Sequence, residues 1–106
     1  MRIEEINKWI DEGGSLPQDL TLEEEVHLRK LGWGVRRDWH SYGQKRYEWN
    51  FLHGKPHGKW ETWHTNGQKR YEYNFLHGMN HGVFKKWDEG GNLIRDEEYL
   101  YGNKIK

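Results

Sequence analysis

"GQKRYEWNFLHGKPHG" occupies Gly43–Gly58, and "GQKRYEYNFLHGMNHG" occupies Gly67–Gly82. The same sixteen-residue phrase returns after 24 residues in a chain of 106. Two copies of an active site would be odd. Two copies of a structural unit that must be stacked are what a repeat architecture needs. Within the phrase, Tyr47, Trp49 and Phe51 alternate with Arg46, Glu48 and Asn50. The second copy sets Tyr71, Tyr73 and Phe75 against Arg70, Glu72 and Asn74. A period of two is the signature of a β-strand, so each phrase predicts a strand with an aromatic face and a polar face.

Working outward on the 24-residue period gives three units: 34–57, 58–81 and 82–105. The first two agree at 15 of 24 positions, and the third keeps five matches to the second. Three glycine columns persist (Gly34/Gly58/Gly82, Gly43/Gly67/Gly91 and Gly54/Gly78/Gly102), with one Trp column, Trp39/Trp63/Trp87. "SYGQ", "TNGQ" and "EGGN" read as hairpin turns, because Gly and Asn accept positive φ. "HGKPHG" and "HGMNHG" read as a second kind of turn, joining one hairpin to the next. A lone hairpin is marginal in water, whereas stacked hairpins bury each other's aromatic rings. The expected fold is mainly β: a single-layer antiparallel β-meander of three stacked hairpin repeats, with a short N-terminal helical segment. Residues 1–33 form that helix and capping segment, and 34–106 hold the repeats. Trp60 and Trp63 are three apart, so either a bulge intervenes or both faces carry aromatic residues.

The pattern G-x-W-x-x-W-x-x-N-G-Q-K-x-x-E-x-x-F-x-x-G-x-x-H-G, read from Gly58 to Gly82, resembles the MORN-repeat variant family. That family is found in bacterial and phage proteins, including antitoxin-like chains of the YwqK type. The resemblance covers Gly34 to about Lys106. It implies an elongated, twisted, single-layer sheet that serves as a binding platform, and it implies no catalytic residues. The third unit departs from the pattern, with Arg95 and Glu97 where Tyr71 and Tyr73 stand. This looks like a polar cap on the aromatic face.

In "RIEEINKWIDEGG", Ile3, Ile6 and Ile10 fall at helical spacing beside Trp9, and Gly13 can end the helix. "TLEEEVHLRKLG" supports two readings. Thr21 with Glu24 makes a capping box, with acids first and bases last, which favours a helix. Leu20, Leu22, Val26 and Leu28 also alternate as in a strand. "LPQDLTLEEEVHLRKL" moreover resembles the L-P-x-x-L-T segments of phage leucine-rich proteins, whose later part is a strand. In either form the segment is expected to cover the first edge of the sheet.

The composition limits the chemistry. Seventeen basic and seventeen acidic residues cancel, which argues against nucleic acid as partner, and the same electrostatic argument disfavours a membrane surface. Cysteine is absent, so neither disulfides nor thiolate metal sites arise. No apolar stretch approaches membrane-spanning length, and the N-terminus lacks a signal-peptide core; a cytoplasmic protein is expected. Fifteen per cent aromatic residues argue against disorder.

Seven histidines invite a metal reading, but equivalents one repeat apart lie about 10 Å from each other. Ligands of one zinc ion must come within about 2 Å of it. Packing and turn formation are the expected histidine roles, with no metal and no cofactor. Ser41 beside His40 is matched by Thr65 beside His64, so repetition explains both. Glu48 and Glu72, flanked by Arg46 and Arg70, read as cross-strand ion pairs. Neither a catalytic residue nor an enzyme is expected.

Protein binding remains, because Trp, Tyr and Arg dominate interface hot spots. The aromatic row is expected to hold the fold. The opposite face, with Trp39, Arg46, Glu48, Trp60, Trp63, Arg70 and Glu72, is the expected contact surface for a protein partner. Self-association is the rival use of that surface. A phospholipid- or single-stranded nucleic-acid-surface binder is the alternative class.

Overall fold

The computed structural model describes residues 1–106. Helix α1 spans Ile3–Glu12 and α2 Leu22–Lys30. Eight strands follow: β1 Trp33–Trp39, β2 Lys45–Leu52, β3 Lys55–Trp63, β4 Lys69–Leu76, β5 Met79–Asn80, β6 Gly82–Trp87, β7 Leu93–Leu100 and β8 Asn103–Lys104. They form one antiparallel sheet in the order β1-β2-β3-β4-β6-β7-β8, with the two-residue β5 on β4. This is the β-meander of three hairpins that the glycine and Trp columns predict. No helix is long and apolar enough to cross a membrane.

The tight turns are set by residues with positive φ in pairs: His53 with Gly54, His77 with Gly78, and Tyr101 with Gly102. Two consecutive left-handed residues match the right-handed strand twist, as in a type I′ hairpin. The longer turns place Gly43, Gly67 and Gly91 at positive φ. Each hairpin also carries a register shift at the same place: Asp38/Trp39, Thr62/Trp63 and Lys86/Trp87. Strict alternation therefore ends one step short of the turn. Lys45 and Lys69 take the places beside the glutamates that alternation assigns to Arg46 and Arg70. A second irregularity falls between Trp49 and Phe51, where the Asn50 amide bridges to the Lys59 carbonyl at 2.9 Å. Asn74 repeats this with the Val83 carbonyl at 2.9 Å. The repeated Asn thus restores bonds that the interrupted ladder cannot make.

Histidines join the units. His40 Nε2 donates to the Trp63 carbonyl (3.1 Å) and His64 Nε2 to that of Trp87 (2.9 Å). His57 Nδ1 accepts from the His77 amide, and His81 Nδ1 from the Tyr101 amide, both at 2.9 Å. In the third unit Asp88 replaces the His40/His64 column and bonds its own turn at the Gly90 and Asn92 amides. The last hairpin therefore reaches for no further neighbour through this column.

The aromatic face runs across five strands. Tyr47 stacks on Trp49 at 4.2 Å, Trp49 on Trp60 at 4.9 Å, and Tyr73 on Phe84 at 4.8 Å. Trp60 also meets Phe51 and Phe75, each at 5.1 Å. Arg95 does cap this row: its guanidinium lies 5.2 Å from the Tyr73 ring centre and 5.5 Å from that of Phe84, paired with Glu97.

The N-terminal segment packs on the face opposite the aromatic row, with α2 against the edge strand β1. Ile6, Trp9, Leu28, Trp33 and Leu52 form the buried cluster, which joins helices and sheet in one core. Residue 33 thus belongs to β1 as well as to the cap. Ile3, expected on the buried stripe, is exposed. The alternation in residues 20–28 loses to the capping box, and α2 forms. The Glu24 carboxylate closes that box on the Thr21 amide at 3.0 Å. It also takes Arg2 Nε at 2.9 Å, an Arg2 terminal nitrogen at 2.7 Å and the Arg2 amide at 3.0 Å. These bonds, Arg2 first, hold its carboxyl far below the ordinary value. Leu28 is buried from α2, whereas Leu22 and Val26 face solvent.

Candidate functional site

The polar face is an ordered charge ladder. In register it reads Arg37, Glu48, Glu61, Glu72, Lys85, Asp96 across six strands. Three adjacent carboxylates would repel one another, but lysines delivered by the register shifts answer them. Lys69 Nζ sits 2.7 Å from Glu61 and 2.8 Å from Glu72, and Lys45 Nζ 3.3 Å from Glu48. Burial alone would push the Glu48 and Glu72 carboxyls up. Arg37 and Lys45 around Glu48, and Lys69 and Lys59 around Glu72, outweigh it, so both are held below the ordinary carboxylate value. Burial likewise works against the Lys69 charge, and its bonds to Glu61 and Glu72 prevail and raise its value.

Between this ladder and the segment Ser15–Leu20 lies a groove of about 550 Å³. Its floor holds Lys45, Glu48, Lys59 and Glu61, Leu16 and Pro17 stand on one wall, and Trp39 and Trp63 also line it. Lys45 Nζ lies 5.6 Å from the Trp63 ring centre, which fixes the indole beside the charges. Trp39 is 53% exposed.

Of the seven candidate contact residues, the structure brings Trp39, Glu48 and Trp63 together in this groove. Glu72 lies next along the ladder, bonded to Lys69. Trp60 does not belong with them. It pairs in register with Trp49 and Tyr73, so its ring is part of the aromatic ladder on the opposite face. Arg46 is displaced by the register shift and pairs with Asp38 at 3.4 Å; Arg70, its equivalent, is exposed. The sequence reading missed Arg37, Lys45, Lys59 and Glu61, as well as the wall from Ser15 to Leu20. The paired Lys45/Lys69 column was visible, but only the register shift turns it towards the glutamates.

His57 is fully buried, edge-on to Trp9 at 4.6 Å, and donates from Nε2 to the Trp9 carbonyl at 2.7 Å. Burial pushes its imidazole below the ordinary value of 6.5, and the bond to Trp9, which acts the other way, does not overcome it. His40, His57, His64 and His81 are thus engaged with backbone groups of neighbouring segments.

A scan against protein-family models, a search of curated proteins and a search of solved structures each returned no match.

Proposed function

We propose that the chain is a small non-enzymatic protein-binding module, and that the groove beneath Ser15–Leu20 receives an extended segment of a protein partner. The observation that carries this reading is the convergence of Trp39 and Trp63 on a floor of alternating lysines and glutamates. Interfaces combine aromatic anchors with polar groups that fix orientation. The balanced charge suits a peptide backbone and mixed side chains better than a polyanion. Neutralising or regulating that partner, as an antitoxin-like protein or a phage-encoded inhibitor of host defence, is the role added by the MORN-repeat resemblance, together with a cytoplasmic setting.

The test is capture of partners on the immobilised intact chain, followed by Trp39→Ala, Trp63→Ala and Tyr71→Ala. The groove reading expects the two tryptophan variants to fold and to lose the partner. If they retain it while Tyr71→Ala folds and loses it, the aromatic face is the binding surface. The alternative class, an anionic lipid or single-stranded nucleic-acid surface, is separated by salt: such binding collapses as salt rises, whereas an indole-anchored contact persists.

A further inference from the structure

The two ends of the sheet fit each other. Between units, inner strands pair in a fixed register: Glu48 with Glu61 and Trp49 with Trp60 at one joint, then Glu72 with Lys85 and Tyr71 with Lys86 at the next. The second joint is the first moved on by 24 residues. Moving it on once more asks what would pair with β7. The repeat places β1 of a second copy there, since Arg37 occupies the position that Glu61 and Lys85 occupy in their units.

In that register Asp96 faces Arg37, Glu97 faces Arg36, and Arg95 faces Asp38. Three successive positions thus bring opposite charges together. The faces agree as well. Asp38 is opposite Tyr47 and Arg36 opposite Trp49, which puts both on the aromatic face, where Arg95 and Glu97 also lie. Arg37 and Asp96 both end the polar ladder. The strand edges are open where they would meet: β1 pairs only with β2, and β7 is covered by β8 at Tyr99 and Leu100 and by Ile105 and Lys106 at Glu98, which leaves Leu93–Glu97 free. Arg36, Arg37 and Asp96 are exposed. A slip by one residue would turn every side chain to the wrong face, and a slip by two would set Arg36 against Arg95.

We infer that the chain associates head to tail, with residues 36–39 of one copy adding as a strand to Ile94–Glu97 of the next. The occupant is a second copy of this chain, and its strand carries Arg37 and Trp39, which also line the groove proposed above for a partner. A heterologous contact of this kind does not close on itself and gives an open series. Two features set this joint apart from the inner ones. Asp88 cannot supply the histidine link of the inner joints. In addition, β8 with Ile105 and Lys106 occupies the places that residues 31–34 of the incoming copy would take, so this short tail must peel away.

Sedimentation velocity on the intact chain and on a chain lacking residues 103–106 provides the test. The expected result is a mass that rises with concentration, falls with added salt, and is larger for the shortened chain. Asp96→Arg and Arg37→Asp should each weaken association by about tenfold, the effect of roughly 1.4 kcal/mol. Combined in one chain, or mixed as two single variants, they should regain it. Circular dichroism confirms that each variant folds; should Arg37→Asp not fold, the pair Glu97→Arg and Arg36→Glu replaces it. Monomers at every concentration for both chain lengths would overturn the inference. So would a charge-swapped pair that associates no better than its single variants, which would point to a different surface.

Discussion

Trp60 and Trp63, three residues apart on β3, serve opposite sides of the sheet. The Trp60 ring stacks on Trp49 at 4.9 Å and donates from Nε1 to the Asn50 carbonyl at 2.7 Å. Trp63 lines the groove beside Lys45. Trp60→Ala should therefore cost about 3 kcal/mol of stability, since it removes a ring that three others touch. Trp63→Ala should cost about 1 kcal/mol or less. Urea unfolding of the two variants checks the split; equal losses would refute the division of roles.

Gly58 lets α1 lie against the sheet. A Cβ there would stand 2.2 Å from Trp9 Nε1 and 3.0 Å from the Gly14 carbonyl, at a φ of +80°. Gly58→Ala should cost at least about 2 kcal/mol and raise hydrogen exchange in α1. Gly34, its repeat equivalent, has open space around it. Gly34→Ala should stay within about 0.5 kcal/mol of the parent. A thermal melt that ranks the two the other way would rule out this account of helix docking.

Stability should fall with acidification in two stages. The unfolded chain binds a proton at His57 below its ordinary 6.5, which the folded chain resists, so stability begins to drop as the pH passes below that value. His57→Gln should flatten this first stage while lowering stability throughout. Glu24 supplies the second stage. Its folded carboxyl lies far below the ordinary 4.5, so its contribution is complete above that value and is lost as the pH falls further. Arg2→Ala should move the acid transition upward. Denaturant titrations across pH measure both, and an unchanged profile in either variant would refute its assignment.

The histidine links predict a graded effect. His64→Ala removes the bond to the Trp87 carbonyl and should cost about 1 kcal/mol. The amide of Asp88 should then exchange faster. Exchange that is altered only at Asn66 and Gly67, within the variant's own turn, would show that the link carries nothing between units.

Much of the fold is legible in the sequence, because the repeat states its period twice and alternation assigns most side chains to faces. The capping box settles α2 because three groups converge on Glu24, one of them Arg2 at a separation of 22 residues, which no local pattern reveals. The contact surface was only half legible. Trp39, Glu48 and Trp63 meet, but Arg46 and Arg70 do not join them, because a register shift reverses facing without leaving a mark in an alternating string. Trp60 was misplaced because its facing depends on register with Trp49 and Tyr73, information that resides between strands. The groove wall needed the path of Ser15–Leu20 across the sheet, which composition does not fix.

The links between units also make this chain a ruler with movable marks. His40 and His64 address the same backbone carbonyl one unit ahead, so a further copy of residues 58–81 placed between the second and third hairpins would find its sockets already cut. Each insertion adds two strands, or about 10 Å of width, and leaves the polar cap at Arg95 and Glu97 in place. Reach could thus be lengthened by gene duplication alone, in fixed steps, without redesigning either end.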